Sequence, residues 1–106
     1  NPILNFGKYL NPLEETLSMN KLEEARSIIQ NVDQQMIELF LKRMQAAKMV
    51  AEYKMENQLP VEDKLREQEL LKRNLSAVPL KLQKYYILFF ESILKASKAY
   101  QEDLMG

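Results

Sequence analysis

Two positively charged residues, Arg43 and Lys54, lie on one face of a long predicted helix among apolar and small side chains. Arg43 interrupts an apolar seam with the heptad spacing by which helices pack on one another. A buried guanidinium needs an anion, because an unpaired buried charge costs several kcal/mol. Lys54 follows three turns later, about 20° round the helix, and Ala47 and Val50 leave space between the two cations. The pattern predicts a pocket for an acidic ligand or, equally, an ion pair between Arg43 and a core carboxylate.

The apolar seam belongs to the first and longest of three predicted helices. Its residues recur in alternating steps of three and four and are Leu22, Ala25, Ile29, Val32, Met36, Leu39, Ala46, Val50 and Tyr53, with Arg43 in their midst. Asn20 is suited to cap the start of this helix, with Glu23 three residues later. No Gly or Pro interrupts the segment from there to about Asn57. The sequence therefore predicts one uninterrupted helix over about 20–57.

Two shorter helices are predicted to follow. After a turn around Pro60, Asp63 is a fitting cap for a second helix of about three turns. A break then precedes Pro79, which suits the first turn of a third helix that continues to about Leu104. Aromatic pairs at helical spacing are typical of a core, and here they are Tyr85, Tyr86, Phe89 and Phe90. With no strand pattern, the chain is predicted to be all-α.

The first residues differ from this helical pattern. Residues 1–19 are predicted to be an N-terminal leader, in which Asn11 and Pro12 suit the start of a short helix. Met19 looks like a native start, which would make the preceding residues appended sequence. Residues 20–106 are then predicted to form one helical domain.

Composition removes most of the usual catalytic groups. Lys plus Arg and Asp plus Glu number 15 each, so no global charge favours nucleic acid or a membrane surface. The chain has neither Cys nor His, which excludes thiolate chemistry and removes the usual general base and the commonest metal ligand. An enzyme of this composition is predicted to act by placement and electrostatics rather than by covalent or proton-transfer steps. With no signal-peptide pattern or apolar run of membrane-spanning length, a cytoplasmic location is predicted.

The length of the first helix predicts a dimer. At 1.5 Å per residue it would be about 55 Å long, whereas a domain of this size has a radius of gyration of about 13 Å. Its seam therefore needs a second chain, and an intertwined homodimer with twofold symmetry is the expected assembly. The alternative is a monomeric bundle in which the first helix is kinked.

Other polar residues on the three predicted helices are candidates to join the two cations in one site. They are Arg26, seven residues before Asp33, then Asp63, Arg66 and Glu67 at the start of the second helix, and Ser97 and Gln101 one turn apart on the third. Taken singly, such residues are typical of solvated flanks, helix caps and packing positions. Their functional interpretation depends on their occurring together.

Together, these positions resemble the all-helical chorismate mutases over about residues 21–103. The matching elements are Arg26 and Asp33, Leu-Lys-Arg-Met at 41–44, Ala-Glu-Tyr-Lys at 51–54, Leu-Pro-Val at 59–61, Asp63, Arg66-Glu67, Phe-Phe-Glu at 89–91, Ser97 and Gln101. The family converts chorismate to prephenate by a pericyclic rearrangement, with no cofactor, metal or covalent intermediate. A chain without His or Cys is able to perform that reaction.

The resemblance implies a role for each polar position in sites shared between two subunits. Arg43 and Arg26 of the partner subunit would each hold a carboxylate of chorismate, through paired hydrogen bonds from the guanidinium. Lys54 and Gln101 would donate hydrogen bonds to the ether oxygen, which gains negative charge as its bond breaks. The remaining positions would complete the site, with Glu67 and the backbone near Asp63 at the ring hydroxyl, and Ser97 and Arg66 in the carboxylate and charge environment.

Two other functions fit parts of the pattern. Helical isochorismate pyruvate lyases share the fold and a similar cationic pocket, but Glu67 favours the mutase because the resemblance places it at the ring hydroxyl of chorismate. A non-catalytic helical interaction module would use the seam as a binding surface. Such a module gives no reason for Arg43 and Lys54 to point inward beside small residues.

Overall fold

α-Helices make up most of the described residues. A computed structural model describes the backbone of residues 12–106 and the side chains of residues 20–106. The three α-helices are α1 (Pro12–Glu56), α2 (Lys64–Leu75) and α3 (Gln83–Met105), with a short 3₁₀ helix at Leu80–Leu82. Because no strand occurs within residues 12–106, the predicted all-α class with one very long helix is confirmed.

Helix α1 begins earlier than the sequence pattern predicts. It already includes Pro12, so Asn20 lies inside the helix and the prediction that Asn20 caps its start is wrong. Pro12 is compatible with this start, because a proline in the first turn of a helix lacks only an N–H group that would have no partner. Residues 1–11 of the predicted leader lie outside the described residues. By its internal contacts the described part of the chain divides into two units, one that ends at Phe40 and one that spans Leu41–Gly106.

The predicted turn after α1 is confirmed, and its backbone closes the helix. Gln58 has a φ of 55°, in the left-handed region. The N–H of Leu59 donates to the carbonyl of Lys54 at 2.8 Å, and the N–H of Gln58 to that of Met55 at 3.4 Å. This pair of bonds is the Schellman arrangement that satisfies the last carbonyls of a helix. The turn thus holds the backbone at Lys54.

Helix α2 has the predicted cap and length. The side chain of Asp63 accepts a hydrogen bond from the backbone N–H of Arg66 at 3.1 Å, which satisfies one of the free N–H groups at a helix start. The helix spans 12 residues, or about three turns. Arg66 and Glu67 therefore lie in the first turn of this helix, as the sequence predicts.

Side chains, rather than the predicted proline, organise the approach to α3. Pro79 precedes the 3₁₀ helix Leu80–Leu82, so the prediction that it lies in the first turn of the third helix is wrong. The amide of Gln83 donates to the carbonyls of Leu75 and Val78 at 3.1 and 3.0 Å. These bonds tie the start of α3 to carbonyls at the end of α2 and in the turn after it.

The core of residues 41–106 is small. Its buried apolar side chains are Ala47 and Ala51 on α1 and Phe90 on α3. Tyr86 stacks on Phe90 with ring centroids 5.7 Å apart. Tyr85 and Phe89 remain 56% and 46% exposed in the single chain. The prediction that all four aromatic residues form the core of the chain is therefore wrong. Successive helix residues differ by about 100° in direction, and the inward positions are those of Tyr86 and Phe90.

Candidate active site

A cavity of about 380 Å³ lies between the last part of α1, the turn after it, α2 and α3. Small-molecule sites usually measure about 300–1,000 Å³, so the cavity has room for a compact ligand. Seven of the eight site residues suggested by the sequence line it, namely Arg43, Lys54, Asp63, Arg66, Glu67, Ser97 and Gln101. The fold therefore brings these seven side chains together from three helices.

Small apolar side chains make room for the charged ones. On α1 the lining residues between Arg43 and Lys54 are Ala46, Ala47 and Val50, and Ala47 is only 5% exposed. A larger residue at such a tightly packed position would extend into the cavity. The hollow that the sequence predicts between the two cations is present.

Arg43 and Lys54 are half-buried cations without a carboxylate partner. Neither makes an ion pair within residues 20–106, so the alternative in which Arg43 pairs with a core carboxylate is not observed there. The Lys54 ammonium donates to the backbone carbonyl of Val61 at 2.6 Å, which orients the group without cancelling its charge. Both charges are available to an anion in the cavity.

Ser97 and Gln101 are the buried polar residues of the site. Each is 7% exposed, and they lie one turn apart on α3, with Nε2 of Gln101 3.2 Å from Oγ of Ser97. Oε1 of Gln101 has no hydrogen-bond partner among the described residues. A buried polar atom usually finds a partner, so a free one beside a cavity marks a position for a ligand.

Lys98 is a cavity residue that the sequence analysis missed. Its ammonium lies 3.2 Å from Oε2 of Glu67 and 3.4 Å from Oε2 of Glu62. The hydrogen bond to Glu67 and the charges of both carboxylates raise the pKa of Lys98 above its ordinary value of 10.5. Single helical lysines are usually solvated, but Lys98 stands three residues before Gln101, a spacing that shares a helix face.

The other charged site residues lie nearer to solvent. Asp63 and Arg66 line the cavity but are exposed, and the Asp63 carboxylate is engaged in capping α2. Arg26 is exposed and does not line the cavity of its own chain. The interpretation that places Arg26 in the site of a partner subunit stays a prediction.

The cavity carries a net positive charge that suits an acidic ligand. Its four cations, against two carboxylates, leave a formal charge of +2; the six groups are Arg43, Lys54, Arg66 and Lys98, with Asp63 and Glu67. Within the described part of the chain, no group of three or more potential metal ligands is found. No helix there is long and apolar enough to cross a membrane. These absences do not test the predictions of no cofactor and a cytoplasmic location, which stay predictions.

One comparison with known proteins gives a match. The sequence model of the family described as chorismate mutase type II matches residues 25–102, well over half of the chain. The match contains every cavity-lining residue and Arg26. No curated protein and no solved structure matches significantly.

Proposed function

The chain belongs to the chorismate mutase type II family of isomerases, and we propose that it converts chorismate to prephenate by restraining the substrate and stabilising its breaking ether bond. The observation that carries this mechanism is the pair of cations, Arg43 and Lys54, that face one cavity without a carboxylate partner in residues 20–106. Chorismate is a dianion, and the cavity has a formal charge of +2. The positive charge of the cavity therefore suits this substrate.

Orientation is the first proposed contribution to the rate. Arg43 would bind one carboxylate of chorismate through two parallel hydrogen bonds, and Arg26 of the partner subunit would bind the other. With both ends held, the enolpyruvyl arm is kept over the ring and the reacting carbons are close. Such placement lowers the barrier, because the entropy of alignment is lost on binding rather than in the chemical step.

Charge stabilisation at the ether oxygen is the second proposed contribution to the rate. As the C–O bond breaks, negative charge develops on that oxygen, and the Lys54 ammonium would donate a hydrogen bond to it. Preorganised donors of this kind are worth more in a water-poor site than in bulk water. Val61 supports this role, since its carbonyl holds the ammonium in place before substrate arrives.

Gln101 would be the second donor to the same oxygen. A serine hydroxyl can donate or accept a hydrogen bond. The Gln101 amide can therefore rotate by 180°, which exchanges Nε2 and Oε1, and still keep a hydrogen bond with Ser97. Nε2 would then occupy the position of Oε1, the buried atom that has no partner in the described residues. The amide would thus donate to substrate while Ser97 donates to the amide.

Three further side chains, those of Glu67, Arg66 and Ser97, would complete the binding of chorismate. Glu67, with the backbone near Asp63, would accept the hydrogen bond of the ring hydroxyl. Arg66, at the exposed edge of the cavity, would add positive charge near a carboxylate, and Ser97 would assist there.

A twofold homodimer would supply the missing arginine. The large apolar seam residues between positions 20 and 40 are exposed in the single chain, from 41% at Met36 to 62% at Leu39. Contiguous apolar surface of this kind is typical of a protein–protein interface. A second copy packed on the seam would bury it and bring Arg26 of the partner subunit to each cavity.

The direct test is an assay of the purified chain with chorismate. We expect the absorbance of chorismate to fall and prephenate to appear, and the Arg43→Ala variant to lose most of this activity. Salicylate and pyruvate formed from isochorismate would instead identify a lyase. If neither substrate is consumed, the chain would be a non-catalytic interaction module and the proposal would fail.

Sharing of sites between subunits is tested by mixing two inactive variants. We expect Arg26→Ala and Arg43→Ala to be nearly inactive alone but to recover about a quarter of the wild-type activity after random subunit exchange, because each mixed dimer has one complete site. The control is Arg26→Ala mixed with the double variant Arg26→Ala/Arg43→Ala, in which no site regains both arginines. No recovery in the first mixture, despite proven exchange, would contradict shared sites.

A further inference from the structure

We propose that Lys98 is a positioning residue that holds Glu67 in place and cancels its charge, so that a carboxylate is tolerated in a cavity for a dianion. This inference rests on the proposed function. It assigns a role to a residue that the family resemblance leaves unassigned. The ion pair of Lys98 with Glu67, both lining the cavity, carries the argument.

Glu67 poses an electrostatic problem for the proposed substrate. Its carboxylate would accept the hydrogen bond of the ring hydroxyl, yet it would also repel the two carboxylates of chorismate. Like charges brought together out of water cost several kcal/mol. Glu67 is only 22% exposed, so solvent alone screens it poorly. A nearby cation is needed for the acceptor to be useful.

Lys98 meets this need by geometry. Its ammonium contacts both carboxylate oxygens of Glu67, at 3.2 Å to Oε2 and 3.4 Å to Oε1. Oxygen lone pairs remain on Glu67, because a carboxylate has about four acceptor positions. Glu67 therefore keeps its capacity to accept from a ligand while its position is fixed.

Glu62 shows that Lys98 also joins separate parts of the fold. The ammonium is 3.4 Å from Oε2 of Glu62, which lies in the connection between α1 and α2, whereas Glu67 lies on α2 and Lys98 on α3. Glu62 is 52% exposed and does not line the cavity. Exposed pairs contribute little to stability, so the Glu62 contact serves as an internal control for the Glu67 contact.

Other charged groups line the cavity together with Glu67. They are Arg43 and Lys54 from α1, Asp63 and Arg66 at the start of α2, and Lys98 from α3. Of these, Lys98 makes the ion pair with Glu67. The pKa of Lys98 is raised by that pair above 10.5, so the ammonium stays charged across the pH range in which the enzyme would be assayed.

The test compares Lys98→Met with wild type across pH in the chorismate assay. The substitution keeps an unbranched side chain but removes the charge, and at pH 8 we expect KM to rise about tenfold or more, because Glu67 then repels the dianion. Protonation removes the charge of the uncompensated carboxylate, so KM of the variant should move towards the wild-type value as the pH is lowered.

A double variant separates charge compensation from packing. If Lys98 acts through Glu67, Lys98→Met/Glu67→Gln should have nearly the KM of Glu67→Gln alone, because no uncompensated charge is left. If Lys98 were merely structural, the KM penalty would persist in the double variant and would not depend on pH, which would overturn the inference.

Two exposed residues give matched controls. Glu62→Gln removes the other ion pair of Lys98, and Lys95→Met removes one positive charge from α3 at an exposed position outside the cavity. Both should keep KM within about twofold of wild type. If the wild type is active and Lys98→Met has an unchanged KM, the role of Lys98 is refuted while the proposed function stands. A wild type inactive on chorismate would overturn the proposed function and this inference with it.

Discussion

The two charged walls of the cavity are built in different ways. On the α1 wall, Arg43 and Lys54 have no carboxylate partner within residues 20–106, and a backbone carbonyl orients Lys54. On the wall formed by α2 and α3, the cation Lys98 contacts two carboxylates. Cations held by neutral groups remain available to an anionic ligand, whereas a cation paired with carboxylates mainly arranges the protein's own groups. The α1 wall is therefore expected to carry the larger part of the chemistry.

Lys54→Ala should give the largest effect and tests this difference most directly. We expect kcat to fall about 10²-fold or more, because a preorganised donor to the breaking ether oxygen is removed. The control is Lys48→Ala, which removes an exposed lysine of the same helix outside the cavity. Circular dichroism and thermal melting would show whether the lost bond to Val61 unfolds the chain. A folded variant with unchanged kcat would remove Lys54 from the mechanism.

Gln101→Glu extends the comparison to the neutral donor of α3. At neutral pH we expect activity to fall about tenfold or more, because an ionised carboxylate cannot donate a hydrogen bond and repels the developing charge. Burial raises the pKa of a carboxyl group, so activity should return as pH falls and the introduced group becomes protonated.

The pH profile of kcat for Gln101→Glu measures this return, and Gln101→Ala is the control that should stay flat. An equally flat profile for Gln101→Glu would contradict the donor role.

Local sequence patterns predicted the helices well where a single signal decides them. The cap at Asp63 and the turn after α1 follow from residue types alone and are confirmed. The start of α1 was misjudged because Asn20 and Glu23 imitate a capping box inside a longer helix. Tyr85 and Phe89 were misjudged because apolar character does not say which face of α3 is covered within one chain.

The site shows where sequence reasoning stops. Spacing along one helix predicted that Arg43 and Lys54 share a face, and both line the cavity. Lys98 escaped notice because its importance comes from Glu62 and Glu67, which are more than 30 residues away in the chain. An ion pair between two different helices leaves no pattern in the local sequence, so only the packed structure shows that its two residues are in contact.

Gln58→Gly tests the smallest element of the comparison, the backbone turn that holds Lys54. Gln58 has a φ of 55°, where a residue with a Cβ is strained by about 1 kcal/mol or more and glycine is not. Because glycine also gains freedom in the unfolded chain, we expect a net rise of about 0.5–1 kcal/mol in the free energy of unfolding.

Urea denaturation at fixed protein concentration measures the effect of Gln58→Gly, since the stability of a dimer depends on concentration. Gln58→Ala is the control; it keeps the strained Cβ and should give no gain. Turnover should stay within about twofold of wild type, because the hydrogen bond from Leu59 to the carbonyl of Lys54 is retained. A more stable variant with greatly reduced kcat would mean that the strained turn, and not only the contact with Val61, sets the position of the Lys54 ammonium.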